Sequence, residues 1–124
     1  MMRSLFGIVF VLVSCSIVAP EVVAQTSGRQ VFSAKCATCH KANNSVGGAV
    51  APNLSGVYGR KIASLSDYQY SVPLKHQQGT WDDHSLDAYL AAPQKFAPGG
   101  KMADGVSDPK QRAALVKYLK SPQD

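Results

Sequence analysis

The chain has 124 residues, three cysteines and a formal net charge of +5, a length that holds one domain at most. Its lysines are scattered and no recognisable nucleic-acid motif accompanies them, which excludes nucleic-acid binding. The positive balance points instead to acidic protein partners or anionic surfaces.

Residues 1–24 read as a secretory signal peptide. Arg3 supplies the positive start, and Leu5 to Val18 is an apolar run interrupted only by Gly7, Ser14, Cys15 and Ser16. Val22-Val23-Ala24 offers small residues for cleavage before Gln25, and the run is short of the ~20 residues a bilayer crossing needs. Leu12-Val13-Ser14-Cys15 also resembles a bacterial lipoprotein box. Lipidation at Cys15 would tether the protein to a membrane; a cysteine buried in the signal core would leave it free. Removing Arg3 and Glu21 together leaves the net charge unchanged. The mature domain, 25–124, is then small enough to bury only a modest apolar core by itself.

A first helix is predicted over Ser27–Cys36, with Thr26 or Ser27 as N-cap. Gly28 and Phe32 are four apart and share one face. A glycine inside a helix costs up to ~1 kcal/mol relative to alanine, so Gly28 predicts the close approach of another helix, the alternative being a frayed terminus.

Cys36-Ala37-Thr38-Cys39-His40 follows at once. C-x-x-C-H is the pattern of covalent c-type haem attachment. Both sulfurs would add across haem vinyl groups as thioethers, and His40, next to the second anchor, would be the proximal iron ligand. A redox C-x-x-C accompanies a βαβ pattern, absent here. A structural zinc site needs about four ligands and no second pair follows, while a disulfide between Cys36 and Cys39 needs no histidine. Haem attachment also agrees with export, since the thiols are handled in an oxidising compartment. A haem would supply the apolar volume that so short a chain lacks.

From Lys41 to Ser66 no periodicity survives Asn43, Asn44, Gly47, Gly48, Pro52, Gly56 and Gly59. So long a structureless stretch makes sense if it wraps an internal object. Ala51-Pro52-Asn53-Leu54 would bring a carbonyl to the second ring nitrogen of His40, the usual means of orienting an axial histidine. Asp67–Ser71 opens a short helix or turn. Thr80 is the expected cap of a firmer helix, with Asp82 and Asp83 at its positive end, Leu86, Tyr89 and Leu90 as its apolar stripe, and Pro93 as its stop. Pro98–Met102 is a loop. Asp108 caps a last helix with Pro109 at its first position, Leu115, Val116, Tyr118 and Leu119 as its buried side, and Ser121-Pro122 as its end.

Met102 is the only methionine outside the signal segment. Methionine usually fills core gaps, but a Pro/Gly loop beside Lys101 is no place for a filler. A thioether is a suitable soft sixth ligand and raises the reduction potential relative to two histidines. His76 and His84 compete for that role but read as solvated surface residues. With two axial side chains no iron position stays open, so electron transfer is expected rather than peroxidation or oxygen binding.

With these residues in place, Gly28 to Leu119 resembles a class I cytochrome c, and a small monohaem bacterial one. The resemblance rests on Gly28 and Phe32 with Leu115, Tyr118 and Leu119; on Pro52-Asn53-Leu54, Gly56 and Gly59-Arg60; and on Pro98-Gly99-x-Lys101-Met102. It implies an all-α fold in which the N- and C-terminal helices cross and loops wrap one covalent haem c. It further implies that Pro52 supplies the carbonyl to His40, that Arg60, Tyr70 and Trp81 hydrogen-bond or shield the haem propionates, and that Tyr89 and Pro93 belong to the haem-packing helix. Two departures stand out: Gly100 replaces a threonine of mitochondrial relatives, and Asp104 falls where they carry an aromatic residue. Lys35, Lys95 and Lys101 match part of those relatives' basic ring.

The function so implied is not catalysis but one-electron transfer in a bacterial periplasm, by a monomer with His40 and Met102 as axial ligands. Its partners would be an oxidase, a reductase or a dehydrogenase with acidic docking surfaces. One alternative makes the chain a dedicated cytochrome subunit of a periplasmic dehydrogenase; another, an enzyme or gas sensor with a labile Met102.

Overall fold

Short capping signals and three prolines set the helix boundaries of this chain. The computed structural model describes residues 25–42 and 50–122. The signal segment with Cys15, and Asn43, Asn44, Gly47 and Gly48 of the long loop, lie outside the described residues. The described residues form five helices in order: α1 (Gly28–Lys35), α2 (Val72–Lys75), α3 (Asp83–Ala91), α4 (Pro93–Phe96) and α5 (Pro109–Lys120). Among the described residues the only β pairing is a single antiparallel bridge between Lys61 and Thr80, so the fold is all-α.

Ser27 begins α1 with a capping box: its hydroxyl accepts from Gln30 N at 3.2 Å while Gln30 Oε1 accepts from Ser27 N at 2.9 Å. Asp108 begins α5, accepting from Lys110 N at 2.9 Å, with Pro109 inside the first turn. These two helices cross at Gly28. A methyl group built there would collide with the Ala114 carbonyl oxygen and lie 2.6 Å from Tyr118 Cβ. The backbones meet because that methyl is missing, so the glycine marks a helix contact and not a frayed end. Phe32 packs on Tyr118 with ring centroids 5.5 Å apart, and Val31, Leu115, Val116 and Leu119 are buried around the crossing.

Thr80 does not cap α3. Its backbone is engaged in the bridge to Lys61, and Trp81 continues that pairing, donating to Arg60 O at 2.8 Å and accepting from Gly59 N at 2.7 Å. Residues held extended in this way cannot open a helix, so the cap passes to Asp82. Its carboxylate accepts from Ser85 N at 2.7 Å, and Ser85 Oγ accepts from Asp82 N at 2.9 Å. α3 halts before Pro93, which is itself the first residue of α4. Arg112 of α5 ties this half together, donating to Asp87 Oδ1 at 2.8 Å and to the carbonyls of Val106 and Ser107 at 2.9 and 2.8 Å.

Gly28→Ala should destabilise the purified protein by about 1–3 kcal/mol through overpacking, despite alanine's ~1 kcal/mol advantage in helix propensity. The guanidinium unfolding midpoint measures it, and an unchanged or raised midpoint would contradict the close crossing. Asp82 offers a second test. The Ser85 amide, then the Ser85 hydroxyl, hold its carboxyl below its ordinary value. The stability it contributes is therefore present above the unfolded value, about pH 4, and lost as pH falls through the lower folded value. Asp82→Asn retains a capping oxygen, so stability at pH 7 should change little while its decline below about pH 4 becomes shallower than in the wild type.

Candidate functional site

α1 ends at Cys36, and the chain continues through one more helical turn. Cys36 N and Ala37 N both donate to Phe32 O, at 2.8 and 2.9 Å, and His40 N donates to Cys36 O at 2.8 Å. Three residues apart on this turn, Cys36 and Cys39 face the same way, and both line one cavity. The two sulfurs form no disulfide with each other; Cys36 is buried and Cys39 exposed. Burial pushes the Cys36 thiol up to about 11, with Lys35 opposing. A redox-active C-x-x-C needs a thiol lowered towards neutrality, so this environment is the wrong one for thiol exchange.

His40 lies beside them, half-buried. Its Nδ1 donates to Pro52 O at 2.9 Å, and Leu54 N donates to Lys41 O at 2.7 Å, so two bonds stitch the 52–54 loop to the His40 segment. A carbonyl oxygen can only accept, hence Nδ1 carries the proton and the Nε2 lone pair is left free. Burial pushes the imidazole pKa down and so favours the neutral ring, with the bond to Pro52 opposing it. A neutral, oriented imidazole with one free nitrogen is a metal ligand in waiting.

The cavity between this turn, the 50–71 loop, α3 and the 98–104 loop has a volume of about 370 Å³, within the ~300–1,000 Å³ usual for small-molecule sites. Leu74, Leu86, Leu90, Leu115 and Leu119 give it an apolar wall. Met102, half-buried, lines the same cavity as His40. His76 and His84 are exposed and do not line it. Arg60, Tyr70, Trp81 and Tyr89 all do. Arg60 donates to Ser55 O at 3.2 Å and Asn53 O at 3.1 Å, bracing the loop that carries Pro52. Tyr70 is buried edge-on to Tyr68, centroids 4.9 Å apart. Trp81 packs against Tyr89 at 5.2 Å and Phe96 at 5.7 Å. Burial raises both the Tyr70 and Tyr89 phenols above their ordinary value, so both stay neutral donors at physiological pH.

Phe96 does not line the cavity but backs its wall by packing on Trp81 and Tyr89, a place that was not legible in the sequence. It continues the spacing of Leu86, Tyr89 and Leu90 past Pro93, where a helical stripe is normally taken to end. Lys35, Lys101 and Asp104 stand on the rim, all exposed. The Lys101 ammonium lies 5.2 Å above the Tyr68 ring and donates to Gln69 O.

A flat, largely apolar macrocycle fits this site. Among the described residues no polar or charged side chain is buried in the core and no buried side-chain nitrogen or oxygen lacks a partner, so the walls leave no unmet polar demand. Nor do three His, Cys, Asp or Glu side chains converge among the described residues, so His40 and the thiols do not form a metal cage of their own. A structural zinc site would require one.

The chain matches the family model described as cytochrome c over residues 25–123. It is 39% identical over 95 residues to the cytochrome c of Nigella damascena, an alignment covering 76% of this chain and 86% of that one. Against the cytochrome c of Chlamydomonas reinhardtii the identity is also 39%, over 94 residues, 75% of this chain and 84% of that one. The chain therefore belongs to the cytochrome c family: it is an electron carrier rather than an enzyme, and it holds one covalent haem c through Cys36 and Cys39.

Proposed function

We propose that the chain is an exported, periplasmic one-electron carrier whose haem iron is held between His40 and Met102. One observation supports this above the rest: His40 and Met102 line the same cavity as both thiols, and the Pro52 bond leaves His40 only Nε2 to offer a metal. When bound, the haem supplies a reversible one-electron change at iron. The chain's own residues set the conditions for it. The Pro52 carbonyl orients His40 and makes it a better donor. The Met102 thioether favours ferrous iron and a higher potential. The leucine and aromatic walls would limit water around the group, and with His40 and Met102 both bound to the iron, substrate and oxygen would have no iron site to take.

The signal-peptide pattern of residues 1–24 supports export to the periplasm. Partners would be oxidases, reductases or dehydrogenases that meet the exposed rim, where Lys35 and Lys101 favour acidic docking surfaces and Asp104 tempers them. Attraction of this kind lies between solvated charges and weakens as salt is added.

Cys36→Ala should leave a single thioether through Cys39. Intact mass spectrometry should find one haem still attached, with a sharply reduced yield of holoprotein; Cys36→Ala/Cys39→Ala should lose its haem to denaturation. Met102→Ala tests the second ligand. Its weak sulfur-to-iron absorption at the red end of the visible spectrum should vanish, its potential should fall, and the reduced variant should bind carbon monoxide at neutral pH. The wild type should not bind it. An unchanged potential and unchanged carbon monoxide exclusion in Met102→Ala would remove Met102 from the iron.

A further inference from the structure

The loop that carries Met102 is tied down by a residue with no place in the site so far. Gln94, on α4, places its side-chain amide against three backbone groups of that loop. Its Oε1 accepts from Gly99 N at 3.1 Å, and its Nε2 donates to Gly100 O at 3.0 Å and to Met102 O at 2.7 Å. A primary amide carries two donor hydrogens and a carbonyl acceptor; all three functions are used. The pattern also fixes which way the amide points, since the reverse orientation would set donor against donor and acceptor against acceptor.

Both ends of this clamp are rigid or shaped for it. On one side, Pro93 is buried, Phe96 sits among Trp81 and Tyr89, and Phe96 O accepts from Gln77 Nε2 at 2.8 Å. On the other, Gly99 has φ +81°, open to glycine at no steric cost. Gly100 N donates to Ala97 O at 2.9 Å, and a methyl built on Gly100 would lie 2.9 Å from that same oxygen. The loop is thus a tight turn lying outside any helix, with three of its polar groups facing one glutamine.

We propose that Gln94 is the positioning residue of the Met102 loop, holding the sulfur-bearing backbone in place so that the sixth iron position stays closed. The proposal rests on Met102 being the axial ligand. Losing three hydrogen bonds from one side chain should speed loop opening by at least roughly tenfold.

The test compares wild-type holoprotein with Gln94→Ala and Gln94→Glu. Two rates are read: residue-resolved amide hydrogen exchange of the reduced protein, and imidazole binding to the oxidised protein. In both variants, exchange at Gly99 and the imidazole on-rate should rise together by at least about tenfold, while exchange at Leu115 in the core stays at the wild-type rate. Gln94→Glu keeps the size of the side chain but loses both donors and sets a carboxylate against two carbonyls, so it should be no better than alanine. Wild-type rates in Gln94→Glu, unchanged Gly99 exchange in Gln94→Ala, faster Gly99 exchange without faster imidazole binding, or equal acceleration at Leu115 would each overturn the proposal. Failure of the ligand assignment is separately visible: the wild type would then lack the sulfur-to-iron absorption, and Met102→Ala would leave the potential and carbon monoxide exclusion unchanged, whatever Gly99 does.

Discussion

The largely apolar cavity of about 370 Å³ between α3, α5 and the loops is the constraint to which the rest of the fold answers. Left without the group it is shaped for, its lining forfeits packing contacts, and water entering it finds few polar partners. Leu74, Leu86, Leu90, Leu115 and Leu119 therefore form the inner surface of a core whose centre is the haem. The chain folds around its cofactor, and the covalent anchors at Cys36 and Cys39 ensure that the centre is not lost when the structure opens.

The division of labour among the elements follows from this. The crossing of α1 and α5 at Gly28 carries no chemistry, but it fixes the turn from which both thiols and His40 face the cavity. The described part of the long loop contains no helix, and side chains help satisfy its backbone: Arg60 on the carbonyls of Asn53 and Ser55, and His40 on Pro52. The opposite loop is fastened in the same way, by Gln94 from α4 and by Arg112 from α5. Side-chain bonds to loop backbone hold the segments on both sides of the cavity, which suits a carrier that must change charge without changing shape.

Features set by neighbouring residues could be read from the sequence. The C-x-x-C-H turn, the Ser27 cap and the Asp108-Pro109 start of α5 each lie within a few residues of their cause. Gly28 was legible too, because a glycine in a helix has a cost that only close packing repays. Thr80 was misread as a cap since its conformation is set by Lys61, nearly twenty residues earlier, through a bridge too short to show any alternation. Phe96 was hidden by Pro93, which ends α3 but opens the separate short helix α4 that brings Phe96 back against Trp81 and Tyr89. Gln94 gave no signal: a polar residue on a four-residue helix looks like solvent-facing surface, and its three partners are backbone atoms of another segment.

That the haem is the core, and not a passenger in a finished protein, is the claim on which the account stands. Far-ultraviolet circular dichroism of the mature Cys36→Ser/Cys39→Ser chain, prepared without haem and heated at neutral pH, tests it most directly. The account predicts little helical signal at any temperature and no cooperative transition. A haem-free chain with the helix content of the holoprotein and a sharp unfolding transition would contradict it.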